Sequence, residues 1–301
     1  MNKIIIITGP TATGKTDLAI EMCREFNGEI ISADSRQVYR GMDIGTGKDN
    51  IKYQKSKIKG WLMDVVEPDY QYNVTEWVRE ARKVIEDIQE RGKIPIVVGG
   101  TWLYIKNLLE PAETLDIKPN WELRKELAEF NVEQLQKKLQ KIDDKKWKKM
   151  NESDKKNPRR LVRAVEVGLS SEKQNKSPNS LYDSLIIGLQ CDETVLKKKI
   201  TERVKERIEK GLLKEIKGLL IKGYNFSLPS FSACGYRIFE GYFEKKENLE
   251  QAIDKWILQE QQYAKRQMDF MKQEVKIIWL KAMDINLKEK SGIIIKEHLI
   301  K

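Results

Sequence analysis

Histidine is almost missing from this 301-residue chain: the one example, His298, lies near the C-terminus with no motif around it. A mechanism built on a histidine base or a histidine-held metal therefore has little to work with. Cysteine is scarce as well. Cys23, Cys191 and Cys234 are odd in number and far apart, which argues against a disulfide framework and against a zinc site, and fits a reducing cytoplasm. No apolar run approaches the ~18 residues that mark a membrane span. The opening MNKIIIITGPTATGKT places a lysine before four isoleucines, but these run straight into a glycine loop. They read as a buried strand, not a secretory leader. There is no internal repeat and no N-K-x-D element for reading guanine.

What is abundant is charge. Charged residues make up 34% of the chain and apolar residues 40%, with a formal net charge of +10. These values describe a globular protein long enough for about two domains. The excess is local: between Leu115 and Tyr182 there are 17 Lys and Arg against 11 Asp and Glu, and Lys141–Arg163 alone carries 10 against 4. Such a stretch is either a solvated helix face or a footprint for a phosphate backbone.

The hydrophobic pattern is that of an α/β protein. Lys3–Thr8, Glu29–Ser32, Trp61–Val66 and Ile94–Val98 are expected strands. Helical spacing covers Lys15–Phe26, Val74–Arg91 and Trp102–Leu109. This alternation implies a parallel sheet of P-loop type, flanked by helices and binding its ligand beyond the strands' carboxyl ends. From 113 to 182 the strand signal stops. Helices are expected near Trp121–Phe130, Val132–Ile142 and Pro158–Leu169, then a polar stretch, Ser170–Ser180. The expected organisation is a core domain of residues 1–112 and 183–301, with 113–182 as a helical insertion. Ser184–Gln190 resumes the sheet, long helices follow at 193–222 and 247–272, and Val275–Leu280 closes as an edge strand.

Three strand ends carry the chemistry. Gly9, Pro10, Thr11, Ala12, Thr13, Gly14, Lys15 and Thr16 match G-x-x-x-x-G-K-[ST] between a strand and a helix. There, backbone N–H groups point at phosphate oxygens, the lysine adds charge and the Thr16 hydroxyl can ligate Mg²⁺. The loop announces a phosphorylated ligand without naming it. Asp34, at the end of the second strand, reads as a metal ligand, a general base or a turn-forming cap; beyond it Gly45–Lys48 forms a second glycine–lysine turn. Gly99, Gly100 and Thr101 end another strand, where two glycines permit close approach and Thr101 offers a hydroxyl, or simply an N-cap.

Taken in order, GPTATGKT (9–16), DSRQVY (34–39), GTGK (45–48) and VGGTWLYI (98–105) resemble the tRNA dimethylallyltransferases. Further matches at 157–166, 203–212, 235–236 and 263–267 extend the resemblance across roughly residues 3–280. It departs at Trp102, where the family usually has a small residue, and at Phe270, where it often has tryptophan. The resemblance implies transfer of a dimethylallyl group from dimethylallyl diphosphate to the exocyclic amine of the adenine 3′ to the anticodon in tRNA. Gly9 to Thr16 would hold the diphosphate with Mg²⁺ on Thr16. Asp34 would be the base, with Thr101 and Arg203 on the leaving group, Arg203 being preferred to Arg207 by its spacing to Gly211 and Leu212.

The same resemblance puts tRNA contacts at Asp34, Ser35, Arg36, Gln37 and Thr101, and at Arg124, Arg159, Arg160, Leu161, Val162 and Arg163. A third group is Ser232, Ala233, Cys234, Gly235, Tyr236 and Arg237, and a fourth is Lys265, Arg266, Gln267, Met268, Asp269, Phe270, Met271 and Lys272. The protein is expected to act as a cytoplasmic monomer, away from membranes. Three other readings stay open: a P-loop kinase, a prenyltransferase acting on free AMP, and a non-catalytic RNA-binding module.

Overall fold

A computed structural model describes residues 2–48, 53, 55–115, 117–170, 181–233 and 235–301. Cys234 and nearly all of the polar stretch expected at 170–180 lie outside these. The chain runs β1 (Lys3–Thr8), α1 (Lys15–Glu25), β2 (Gly28–Ser32), β3 (Gly60–Trp61), α2 (Val74–Glu90), β4 (Ile94–Gly99) and α3 (Trp102–Leu109). Next come α4 (Trp121–Ala128), α5 (Val132–Ile142), α6 (Asp144–Lys149), α7 (Glu152–Lys155) and α8 (Pro158–Leu169). The remainder is β5 (Asp183–Gln190), α9 (Glu193–Glu209), α10 (Leu212–Ile221), α11 (Glu240–Phe243), α12 (Leu249–Met271), β6 (Ile277–Lys281) and α13 (Leu287–Ile300).

Four consecutive isoleucines cannot alternate between a core and solvent, and Ile4 to Ile7 are all 0% exposed. A strand buried on both faces belongs inside a parallel sheet covered by helices. The six strands are ordered β3-β2-β4-β1-β5-β6, every neighbouring pair parallel. The chain builds β2, β3 and β4 to one side of β1, and β5 and β6 to the other. That reversal opens a crevice beyond the carboxyl end of β1, where such sheets bind ligands. Trp77, Val78, Ala81, Ile85 and Ile88, at helical spacing, are the buried face of α2, whose start is fixed by a reciprocal capping box between Asn73 and Glu76.

The chain divides into two compact units, residues 1–109 with 180–301, and residues 110–179. The second has its own core of Leu127, Leu135, Leu139, Leu161, Ala164 and Val165. Its three expected helices form, joined by two short ones, α6 and α7. Among the described residues no helix is long and apolar enough to cross a membrane.

Two expected elements differ. The run Trp61–Val66 keeps only Trp61 in a strand, preceded by Gly60, because Leu62 and Asp64 take left-handed conformations (φ 60 and 55) that turn the chain out of it. Val65 and Val66 then donate to the Val38 carbonyl instead. The long helix at 193–222 is two helices, parted by Gly211 at φ 98. The C-terminal helix α13 has no counterpart among the expected elements.

One buried charge ties the sheet to its flank. Glu29, in β2, has a side chain only 3% exposed. It accepts two bonds from Arg91 (2.5 and 2.8 Å), one from Lys93 (2.8 Å) and one from the Trp61 indole (2.8 Å). The Arg91 fork above all, opposed by burial, holds its carboxyl down at about 2, against an ordinary 4.5. A depressed carboxyl stabilises the fold above its ordinary range and loses that contribution as pH falls toward 2; here it is roughly 2–3 kcal/mol, allowing for screening at the half-exposed cations. Urea unfolding of wild type and Glu29→Gln should differ by about that much or more at pH 7. The gap should close between pH 5 and 2.

Candidate active site

The phosphate-binding loop begins where β1 runs out. Gly9 has φ 146, and a Cβ there would sit 2.6 Å from the Leu189 carbonyl oxygen of β5, so only glycine lets the loop leave the sheet at this point. Ala12 (φ 64) and Gly14 (φ 83) complete a turn that leads into α1. Thr13 and Lys15 both donate to the Pro10 carbonyl, each at 2.8 Å. Burial, helped by the nearby Arg203 guanidinium and opposed by Asp34, brings the Lys15 ammonium down to about 7. An anion in the loop would reverse that balance by favouring the charged form.

The neighbouring strand ends converge on the same place. A Cβ on Gly99 would collide with the backbone of Ala33, so β2 and β4 meet closely where they end. Thr101 N–H donates to the Ala33 carbonyl (3.2 Å), and its hydroxyl accepts from Ser35 N–H (3.1 Å). Asp34 accepts from Arg36 N–H (2.8 Å), a turn that fixes its carboxylate at the β2 terminus. The Ser32 hydroxyl donates to Gln37 Oε1 (3.0 Å).

Two helices supply the opposite wall. From α9, Arg203 Nη1 donates to Thr11 Oγ1 at 3.0 Å. Arg207, one turn on, is buried instead, donating to the Gly45 carbonyl (3.3 Å) and to Glu260 (3.4 Å). The two arginines are thus told apart: Arg203 meets the phosphate-binding loop and Arg207 supports from behind. From α12, buried Gln267 accepts from Thr11 N–H (2.9 Å) and donates to the Gly100 carbonyl (3.0 Å), a strut between two strand-end loops.

The helical repeat divides the segment 265–272. Gln267 and Met271 face inward, whereas Lys265, Arg266, Asp269, Phe270 and Lys272 are exposed and Met268 is half-buried. In the segment 232–237, Ala233 and Tyr236 are buried, Gly235 lies against the Trp256 ring, and Arg237 is exposed but spends its guanidinium on the carbonyls of Phe226, Ser227 and Leu228. The Ser232 hydroxyl donates to Pro229, whose carbonyl also accepts from Arg36. Trp102 is buried at the head of α3.

Within the second unit, Arg124 and Arg163 both close on Glu166, whose side chain is 2% exposed. Arg163 also donates to the Thr114 and Ile117 carbonyls (2.7 and 2.9 Å). Burial would raise the Glu166 carboxyl, but the bonds from Arg124, Arg163 and the Asn120 N–H hold it below the ordinary range. Leu161 is core and Val162 half-buried, so the side chains presented outward on α8 are Arg159 and Arg160, the latter paired with Asp154.

The side chains of Arg124, Arg163, Leu161, Tyr236, Met271 and Gln267 are buried or hydrogen-bonded within the fold. Reading the sequence assigned no role to Glu166, which lies in the 157–166 match, and did not single out Glu260 or Glu215, each engaged with an arginine or a loop. A Glu on the inward face of an amphipathic helix was the available signal.

Among the described residues no group of three or more His, Cys, Asp and Glu side chains could hold a metal. Of the loop's hydroxyls, Thr13 donates to Pro10 and Thr11 accepts from Arg203; the half-buried Thr16 hydroxyl is a hard ligand of the type Mg²⁺ takes alongside phosphate oxygens and water.

Comparison with known proteins agrees with this geometry. The profile of the IPP transferase family matches residues 37–274, and that of isopentenyl transferase matches residues 2–68. A tRNA dimethylallyltransferase of Alkaliphilus metalliredigens is 38% identical over 99% of this chain and 96% of its own length. One from Acetivibrio thermocellus is 37% identical, covering 96% and 95%. Among solved structures, the tRNA isopentenylpyrophosphate transferase of Bacillus halodurans aligns at TM-score 0.73 with 33% identity, over 100% of this chain and 95% of that one. A eukaryotic dimethylallyltransferase acting on tRNA aligns at TM-score 0.85 with 27% identity, covering 99% and 79%. With an α/β sheet of this order, a phosphate loop at its switch point and relatives matching end to end, the chain belongs to the IPP transferase family, that of the tRNA dimethylallyltransferases.

Proposed function

We propose that this protein transfers the dimethylallyl group of dimethylallyl diphosphate to the exocyclic amine of the adenine 3′ to the anticodon in tRNA, releasing diphosphate. The observation that carries this reading is the meeting of Lys15, Asp34, Thr101 and Arg203 around one phosphate-binding loop, joined by the Arg203–Thr11 and Thr101–Ser35 bonds.

The amine lone pair attacks the allylic carbon as the carbon–oxygen bond to diphosphate breaks. An exocyclic amine is too weak an acid to ionise first, so its proton leaves during or after bond formation, to the Asp34 carboxylate. Charge then gathers on the departing diphosphate, and Lys15, Arg203, the Thr101 hydroxyl and the loop amides are the groups that stabilise it. Removing one such donor typically costs ~10²–10³ in turnover. Thr16 would hold Mg²⁺ through its hydroxyl, and the ion would supply further neutralisation of that charge. The target base must leave its stack to react, and Gln37, close to Asp34 in sequence, is suited to reading its edge. The exposed cations Arg159, Arg160, Lys265, Arg266 and Lys272 are suited to the RNA backbone. The protein is proposed to act as a monomer in the cytoplasm.

Mass spectrometry of tRNA incubated with the protein, Mg²⁺ and dimethylallyl diphosphate should show one five-carbon addition at that adenine. Labelled product on free AMP in a competition with tRNA, or phosphoryl transfer from ATP, would remove the assignment. Asp34→Ala should keep its affinity for diphosphate in a binding titration while losing at least ~10²-fold in turnover; unchanged turnover would take the base role from Asp34. Reversing the charges of Arg159 and Arg160 should weaken tRNA binding and lower the slope of log affinity against log salt by roughly 0.7–0.9 for each phosphate no longer neutralised. A slope equal to wild type would mark that helix end as a solvated face.

A further inference from the structure

The turn at residues 43–48 is gripped more firmly than a surface loop requires. The Glu215 carboxylate, on α10, accepts from three successive backbone amides: Asp43 N–H (2.9 Å) and Ile44 N–H (2.8 Å) on one oxygen, Gly45 N–H (3.1 Å) on the other. The second oxygen also accepts from the Tyr236 hydroxyl (2.7 Å). Burial first, and then the carboxylate itself, push that phenol well above its ordinary range, so it stays the donor. Successive amides turned on one anion form a strong, charge-assisted cradle.

The same peptide segment is held from its other side. Arg207 donates to the Gly45 carbonyl, and the Tyr236 ring lies where a Gly45 side chain would begin. Gly47 follows. A Cβ there would fall on the guanidinium groups of both Arg203 and Arg207, so the turn's backbone is the surface against which Arg203 lies. The far end of that side chain reaches Thr11 in the phosphate-binding loop. A continuous path therefore runs from Glu215 through the turn to the guanidinium that meets the phosphate-binding loop.

We infer that Glu215 is a positioning residue for the donor site: its carboxylate sets the 43–48 turn, and the turn sets Arg203. This deepens the reading given above and rests on it. Both oxygens accept from backbone amides, so Glu215→Gln keeps the size of the side chain but, in either orientation, turns its NH₂ on at least one N–H that cannot accept.

The test is a double-mutant cycle of Glu215→Gln and Arg203→Ala, followed by steady-state transfer with dimethylallyl diphosphate and tRNA, a tRNA binding titration and thermal unfolding. Glu215→Gln should lower kcat/KM for the diphosphate by about ten- to a hundredfold with tRNA affinity within about twofold. In the Arg203→Ala background it should cost less than about threefold more, since the two act through one group. Independent, multiplying losses overturn the inference. So does unchanged catalysis in Glu215→Gln, or a loss shared equally by donor and tRNA. Arg203→Ala with normal transfer would instead overturn the reading of the site. Should Glu215→Gln not fold, Tyr236→Phe, which removes one of the four bonds, enters the same cycle. A smaller loss that disappears in the Arg203→Ala background supports the inference, and one that persists overturns it.

Discussion

Everything proposed for this site depends on a close approach of backbones at the carboxyl edge of the sheet. β1 can stop and open its amides toward a ligand only because Gly9 leaves room for the Leu189 carbonyl beside it. β2 and β4 can bring Asp34 and Thr101 together only because Gly99 lies against Ala33 without a side chain. Larger residues would force the strand ends apart by roughly an ångström, and reacting groups misplaced by that much lose most of their advantage. Rigid, fully buried strands beneath these turns keep the approach fixed.

A second constraint is electrostatic. The chain carries ten more positive than negative charges, yet several cations are consumed inside the fold. Arg91 and Lys93 close on Glu29, Arg124 and Arg163 on Glu166, Arg207 on Glu260, and Lys48, with no exposed side chain, on Asp43 and Asp64. Charges taken out of water need partners of this kind. Near the site, Arg207 on Glu260 and Lys48 on Asp43 and Asp64 join the 43–48 turn to its neighbours, so interactions that make burial tolerable also hold that turn. Other cations stay exposed, among them Arg159 on α8 and Lys265 and Arg266 on α12.

The loop at 43–48 joins these two constraints. It is a backbone turn whose peptide groups are divided between a carboxylate and a guanidinium, and it borders both arginines of α9. Its glycines are small because aromatic and cationic side chains occupy the space where a side chain would stand. A turn that contributes no reacting group thus helps to decide where the reacting groups lie.

Much of this was legible in one dimension. Four isoleucines ending in a glycine loop determined a doubly covered strand and a phosphate site, since hydrophobic burial and backbone hydrogen bonding admit few alternatives there. The ordered strand-end motifs identified the family. Local pattern could not decide which members of a motif face inward, as Gln267 does where it links the Thr11 and Gly100 loops. Nor could it show that the apolar run at 61–66 would leave the sheet, because left-handed turns at Leu62 and Asp64 are stabilised by pairing with Val38, far along the chain. Sequence alone determined the fold class, the phosphate loop and the family. Only the tertiary structure decided which arginine meets the loop and which carboxylates hold it, because those choices are made by contacts between residues distant in the chain.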